Sequence, residues 1–259
     1  MKNVALITGA SSGIGKELAL IHAQQKGDLV IVARRKEELE SLKTEIENKF
    51  GVQVKVIAKD LTKTEAPKEI YDELKQAGIE VEYLINNAGF GGLGKFHERD
   101  WVKDEAMINL NVMALTALTR LFLPDFVKRN SGRILNTSST ASLIPGPLQA
   151  VYYATKAFVT SFSNAIAEEL HDTNITVTAL LPGATETEFG KISGMDKTSM
   201  FQSTSSAKTV AEDGYKAMIK GNLNKISGIT FAQKLMFAVL PFTPTKMLLT
   251  QVRKMQEVN

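Results

Sequence analysis

Residues 3–16, NVALITGASSGIGK, restrict the possible folds more than any other stretch of the chain. Residues 3–8 are almost wholly apolar and β-prone, which predicts a strand buried on both faces of a parallel sheet. A turn holding Gly9, Gly13 and Gly15 follows, and Ile14, Leu18 and Ile21 then recur on one face of a helix. A strand that passes through a glycine turn into a helix N-terminus builds an anion site. Unpaired backbone N–H groups and the positive end of the helix dipole face the ligand, and glycine lets it come close. A P-loop would need GxxxxGK followed by Ser or Thr. Here Gly15-Lys16 is followed by Glu17, and the position five before Gly15 is Ala10, so that reading fails twice. The glycines are spaced GxxxGxG, where the common dinucleotide fingerprint is GxGxxG.

Downstream, apolar strands alternate with helices. LVIVA (29–33), VQVKVIA (52–58), VEYLI (81–85), RILNTSS (133–139) and ITVTALL (175–181) read as strands two to six. Helical periodicity fills residues 36–50, 65–77, about 100–129 and 152–170. Strict alternation predicts one α/β domain of the Rossmann type, a doubly wound parallel sheet with helices on both faces, three layers in all. No repeat or linker divides the 259 residues, and a hydrophobic share of 44% supplies one large core. Ligands of such sheets lie beyond the carboxyl ends of the strands. Arg34, Asp60, Asn87, Ser139 and Gly183 all fall at those ends, which implies a single site.

Composition excludes several chemistries. Without cysteine there is no disulfide, thiolate metal site or cysteine nucleophile. His22, His97 and His171 lack ligand spacing, so no metal is expected. A net charge of +3 is too small for a nucleic-acid footprint, but it is uneven: residues 220–259 hold six Lys/Arg and one acid, Glu257. The first strand starts at residue 3 with no basic leader, and no run approaches the roughly 18 apolar residues of a spanning helix, so a soluble cytoplasmic protein is expected.

Tyr152 and Lys156 stand at i and i+4, on one helix face. Tyr71 and Lys75 repeat the spacing, and context separates the two pairs. Thirteen residues before Tyr152 lies Ser139; thirteen before Tyr71 lies Ala58. Ser138 is the rival hydroxyl, and alternation along the strand puts it on the opposite face from Ser139. TGASSGIG, NNAG (86–89), Asn111, Ser139, Tyr152/Lys156 and PGATET (182–187) together resemble, in order and spacing, the shorter single-domain branch of the short-chain dehydrogenase/reductase family. The resemblance covers residues 3 to about 190. It implies hydride transfer between a nicotinamide cofactor and a carbonyl or alcohol, with Tyr152 as acid/base, Lys156 assisting and holding the ribose, Ser139 positioning substrate, and Asn111 supporting a relay water. Asn109 is the neighbour with which Asn111 could be confused.

The chemistry wants the same residue types. A developing alkoxide needs a proton, and a tyrosine hydroxyl with an ordinary pKa of about 10 becomes useful if a nearby ammonium and the cationic nicotinamide lower that value. The resemblance further implies that Gly9, Ser11, Ser12, Gly13, Ile14 and Gly15 lie along the phosphates and Asp60 near the adenine amine. It places Asn87 by the adenosine ribose and Thr187 at the carboxamide, and counts Ala88, Gly89, Pro182 and Gly183 among the cofactor-binding residues. Asp60 and Thr187 can equally be read as helix caps.

The second strand ends in Ala33, where an NAD-binding protein carries an acid, and Arg34 and Arg35 follow. A guanidinium fork matches a phosphate, so NADP(H) is the expected cofactor, with Arg34 as its nearer contact and Arg35 pointing away. A competing reading, a dinucleotide-holding protein without turnover, is opposed by the presence of both Tyr152 and Lys156. Apolar loops at 141–151, at Phe90 and over a lid at 187–206, with Phe189, Met195, Met200 and Phe201, imply a lipophilic small-molecule carbonyl or alcohol. The nearly all-apolar helix from Phe231 to Leu240, within a C-terminal segment at 229–257, must be covered. Pocket cover combined with a homodimer or homotetramer interface is expected; contact with an anionic membrane through the basic tail is the alternative.

Overall fold

In the computed structural model, which describes residues 1–201, 204–239 and 243–257, β1 (Val4–Thr8) lies in the interior of the sheet and is buried along its whole length. It leads through the glycine turn into α1 (Gly13–Gln24). Then follow β2 (Leu29–Ala33), α2 (Lys36–Phe50), β3 (Val54–Ala58), α3 (Ala66–Gln76) and β4 (Val81–Asn86). The helical stretch α4 (Trp101–Ile108) and α5 (Leu115–Arg129) is joined through a π-helical turn at Asn109–Ala114. β5 (Gly132–Thr137), α6 (Ala150–Glu169) and β6 (Ile175–Pro182) complete the six expected strands, each found within a few residues of its sequence boundaries. A two-residue ribbon, β7 (Thr185–Glu186) with β8 (Ser205–Ser206), brackets α7 (Glu188–Ser193). The chain closes with α8 (Ala207–Lys220), β9 (Asn224–Ser227), α9 (Phe231–Val239) and α10 (Thr245–Gln256).

The sheet order is β3-β2-β1-β4-β5-β6-β9, every pairing parallel. Alternation along β1 divides the core in two. Val4 and Leu6 face a cluster with Ile70, Leu74, Phe122 and Phe126 of α3 and α5. Ala5 and Ile7 face the other side, with Leu18, Leu39, Ile46 and Met218 of α1, α2 and α8. The order reverses between β1 and β4, and the crevice at that switch point is where a doubly wound sheet binds ligands.

The structure differs from the sequence expectations in three places. α8 and the edge strand β9 carry no strong signal: β9 is four residues, NKIS, paired on one side only with β6. β5 ends at Thr137, so Ser139 lies just beyond the strand and caps a short 3-10 turn at Thr140–Leu143. The stretch Trp101–Arg129 contains an 18-residue window of mean hydropathy 1.5, long and apolar enough to cross a membrane by length and composition, contrary to the expectation that no run would qualify. In the fold Leu118, Phe122 and Phe126 of this stretch pack on the sheet.

Candidate active site

A cavity of about 840 Å³ opens at the carboxyl ends of the strands, within the range of ligand sites. Of the residues expected at the site, all line it except Gly15 and Asn111. Gly15 lies behind the glycine turn: a Cβ there would stand 2.3 Å from the Gly9 carbonyl oxygen and 2.5 Å from Asn87 Nδ2. Gly9 itself has φ +68°, a left-handed conformation that favours glycine. Asn87 stitches the turn from below, donating from Nδ2 to Thr8 O (3.1 Å) and Gly9 O (3.4 Å). Thr8, which the sequence reading passed over, accepts from the N–H groups of Asn87 and Ala88, both at 3.0 Å, and so couples β1 to the NNAG segment. Its position at the end of β1, directly before Gly9, was the available signal. A turn with no room for a Cβ, set before the N-terminus of a twelve-residue helix, fits the pyrophosphate of a dinucleotide.

The adenosine corner is arranged differently from expectation. Both arginines line the cavity, and Arg35, expected to point away, donates to Ser11 Oγ at 3.1 Å and to both carboxylate oxygens of Glu188 at 3.0 and 2.8 Å. Ser12 Oγ donates to Glu188 at 2.8 Å. Asp60 lines the cavity, and its Oδ1 accepts from the backbone and hydroxyl of Thr62 in a local turn; it caps no helix, since α3 begins only at Ala66 with Glu65 before it. Thr187 does cap α7, by accepting from Phe189 N at 3.3 Å, while its methyl lies where a Gly13 side chain would go. Gly183 lies against Gly228, where β6 and β9 end together. Pro182 O accepts from Ser139 and Thr140.

α6 places Tyr152 and Lys156 on its buried face. Lys156 Nζ donates to Thr137 O at 2.8 Å and lies 5.9 Å from the centre of the Tyr152 ring. Ser139 and Ser138 separate as alternation requires. Ser138 Oγ is committed to Lys156 O (2.9 Å) and Thr160 (2.7 Å), whereas the Ser139 hydroxyl faces the Tyr152 oxygen. Tyr71 donates to Asp125 at 3.0 Å and does not line the cavity. Asn111 sits in the π turn, a local widening of the helix. Its side chain exchanges hydrogen bonds with the Phe90 backbone (3.1 and 3.0 Å) and donates to Thr155 Oγ1 (3.1 Å), which in turn donates to Tyr152 O. Gly89 fills the gap between the Asn111 carboxamide and Lys156.

The electrostatics correct one expectation. Burial pushes the Tyr152 pKa up to about 12, only partly opposed by the Ser139 hydroxyl, and pushes Lys156 down to about 8. The protein's own groups therefore do not lower the tyrosine pKa, because removing both side chains from water disfavours both charged forms.

Beyond Tyr152 the cavity is mostly apolar, walled by Phe90, Ile144, Phe189 and Met195, with Phe237 of α9 and Leu248 of α10 across it and Gln233 and Gln251 of the same two helices as polar members. Residues of both C-terminal helices thus line the cavity, while Leu235 and Met247 are 60% and 65% exposed. Residues 202–203 of the expected lid and Leu240 lie outside the described residues, as do the side chains of Met200 and Phe231.

Comparison with known proteins agrees with this geometry. The family model for short chain dehydrogenase matches residues 3–197. Human very-long-chain 3-oxoacyl-CoA reductase is 35% identical over 198 residues, 73% of this chain and 61% of that protein. Human 17-beta-hydroxysteroid dehydrogenase type 3 is 37% identical over 191 residues, covering 72% and 60% of the two chains. The match thus spans about three fifths of the length of these relatives. A short-chain dehydrogenase from Sphingobium yanoikuyae, solved in complex with NADPH, superposes with a TM-score of 0.83 at 31% identity, covering 99% of this chain and 98% of that one. The chain belongs to the short-chain dehydrogenase/reductase family of oxidoreductases.

Proposed function

We propose that the protein is an NADP(H)-dependent oxidoreductase that transfers a hydride between the nicotinamide and a lipophilic ketone, aldehyde or secondary alcohol. The observation that carries this reading is the convergence of Tyr152, Ser139 and Lys156 between the glycine-turn half of the cavity and its apolar half. When bound, the cofactor supplies the hydride; the chain's own residues manage the substrate oxygen. Tyr152, protonated at neutral pH, gives its hydroxyl proton to that oxygen while Ser139 donates a hydrogen bond to it. Lys156 places a positive charge beside the tyrosinate left behind and, with a relay water near Asn111, resupplies the proton from solvent.

The pH dependence follows from these values. Lys156 is charged below its pKa of about 8, so carbonyl reduction at saturating cofactor should fall as pH rises through that value, while Tyr152 stays protonated to about 12. A kcat profile from pH 6 to 10 checks this. Lys156→Arg, which cannot discharge in that range, should flatten the alkaline limb if it retains turnover.

Three observations support the cofactor and substrate class. No acid stands at the end of β2, and Arg34 and Arg35 line that corner. The charged residues that line the cavity lie on its cofactor side, and the wall opposite is mostly apolar and uncharged among the described residues, with Gln233, Thr243 and Gln251 its polar members. The relatives' names, a very-long-chain 3-oxoacyl-CoA reductase and a hydroxysteroid dehydrogenase, point to similar chemistry. Exposed Trp101, Val102, Met113 and Phe158, on neighbouring parts of α4, the π turn and α6, support self-association as part of the proposal. The test follows NADPH absorbance against a panel of carbonyl compounds. Wild type should show the larger kcat/KM with NADPH, and Arg35→Ala should weaken NADPH use by about tenfold or more while NADH use changes little. Equal losses with both cofactors, or a wild-type preference for NADH, would remove the NADP(H) assignment.

A further inference from the structure

We propose that Glu188 tunes the discrimination between dinucleotides with and without a 2′-phosphate, by holding Arg35 in a clasp across the cofactor cleft. The proposal rests on the NADP(H) reading above and adds a determinant that lies far from Arg35 in sequence. The clasp joins three segments: Arg35 at the end of β2, Ser11 and Ser12 in the glycine turn, and Glu188 at the start of α7. All four residues line the cavity. Both ends of the guanidinium fork are engaged, Nη1 with Oε1 at 3.0 Å and Nη2 with Oε2 at 2.8 Å, and Nη2 also donates to Ser11. Ser12 donates to the same carboxylate.

Glu188 therefore takes hydrogen bonds from donors that face the phosphates in the proposed complex, and its carboxylate is an internal competitor for them. These bonds hold the Glu188 carboxyl below the usual carboxylate range, so it is ionised and competes at neutral pH. A guanidinium that gives both nitrogens to a carboxylate has few donors left for a second anion. A 2′-phosphate, with its greater charge and three acceptor oxygens, draws Arg35 away from Glu188; a cofactor lacking that group leaves the pair closed. Repulsion between Glu188 and the pyrophosphate acts on both cofactors alike and cancels in the ratio of their affinities. The pair is exposed, with side chains 43% and 49% accessible, so the effect is modest.

The test measures dissociation constants of NADPH and NADH by fluorescence titration without substrate. Glu188→Gln should raise the ratio Kd(NADH)/Kd(NADPH) by about threefold, the size of an exposed ion pair. Arg35→Ala should lower the ratio, and Glu188→Gln added to Arg35→Ala should leave it there. Glu188→Ala serves as the second variant, with thermal melting to check the fold. A wild-type ratio well above one that Glu188→Gln and Glu188→Ala leave unchanged, or lower, overturns the role of Glu188 alone. A wild-type ratio near one overturns the NADP(H) reading, and this inference with it.

Discussion

Tyr152→Phe should keep its fold and its affinity for NADPH while kcat falls by at least about 10²-fold, the scale on which a positioned general acid contributes. The substitution removes one oxygen and leaves the ring. The ring's packing is extensive: it lies 5.3 Å from the Phe189 ring and 6.0 Å from that of Tyr153, inside a buried cluster with Met107 and Ala141. A phenyl group preserves those contacts, so any loss of turnover reports the missing proton donor. Tyr71→Phe is the control. Its hydroxyl bonds Asp125 outside the cavity, and the same sequence spacing to a lysine should leave kcat near wild type. Steady-state kinetics alongside NADPH titration separates the two variants. If Tyr71→Phe abolished turnover and Tyr152→Phe did not, the assignment of the proton donor would be wrong.

The second large effect concerns the glycine turn. Gly15→Ala should weaken NADPH and NADH binding alike, by about 10- to 10²-fold, because overpacking here displaces the cradle that faces the phosphates at a cost of roughly 1–3 kcal/mol. The added Cβ would meet the Gly9 carbonyl oxygen at 2.3 Å and Asn87 Nδ2 at 2.5 Å. Neither neighbour is the end of a flexible chain. The first is backbone of the turn, and the second is held by Thr8 O and Gly9 O. Gly51→Ala makes the contrast: Gly51 has φ +66° at the end of α2 with nothing within 4 Å of a Cβ. That variant should lose about 1 kcal/mol of stability through backbone strain and bind cofactor normally. Similar binding losses in both variants would mean that general instability, not the crowded turn, is responsible.

Much of the site was legible because its signals are local. An apolar strand, three glycines and an amphipathic helix lie within a few turns of one another in sequence, and the spacing of Tyr152 and Lys156 is fixed by helix geometry. Parallel topology follows from the alternation of elements, which gathers the strand ends at one edge. The seventh strand carries little sequence signal because β9 is short and polar, and it is held by pairing with β6.

Side-chain direction and electrostatic environment were not legible, since both depend on groups distant in sequence. Arg34 and Arg35 are chemically identical and adjacent, and both line the cavity; that Arg35 pairs with Glu188, 153 residues away, is decided by the fold. Asn111 stands out in the sequence, but its side-chain partners, the Phe90 backbone and Thr155, lie 21 and 44 residues away and become visible only in the fold. The sign of the Tyr152 shift needed the fold as well. A nearby lysine argues for a lower pKa, but burial of the whole cluster raises it, and burial is a sum over the tertiary structure. The sequence by itself determined which residues could do the chemistry and the sheet that carries them, because propensity, period and spacing act over short stretches of chain. Which of those residues face one another, and in what charge state, was settled only when distant segments packed together and excluded water.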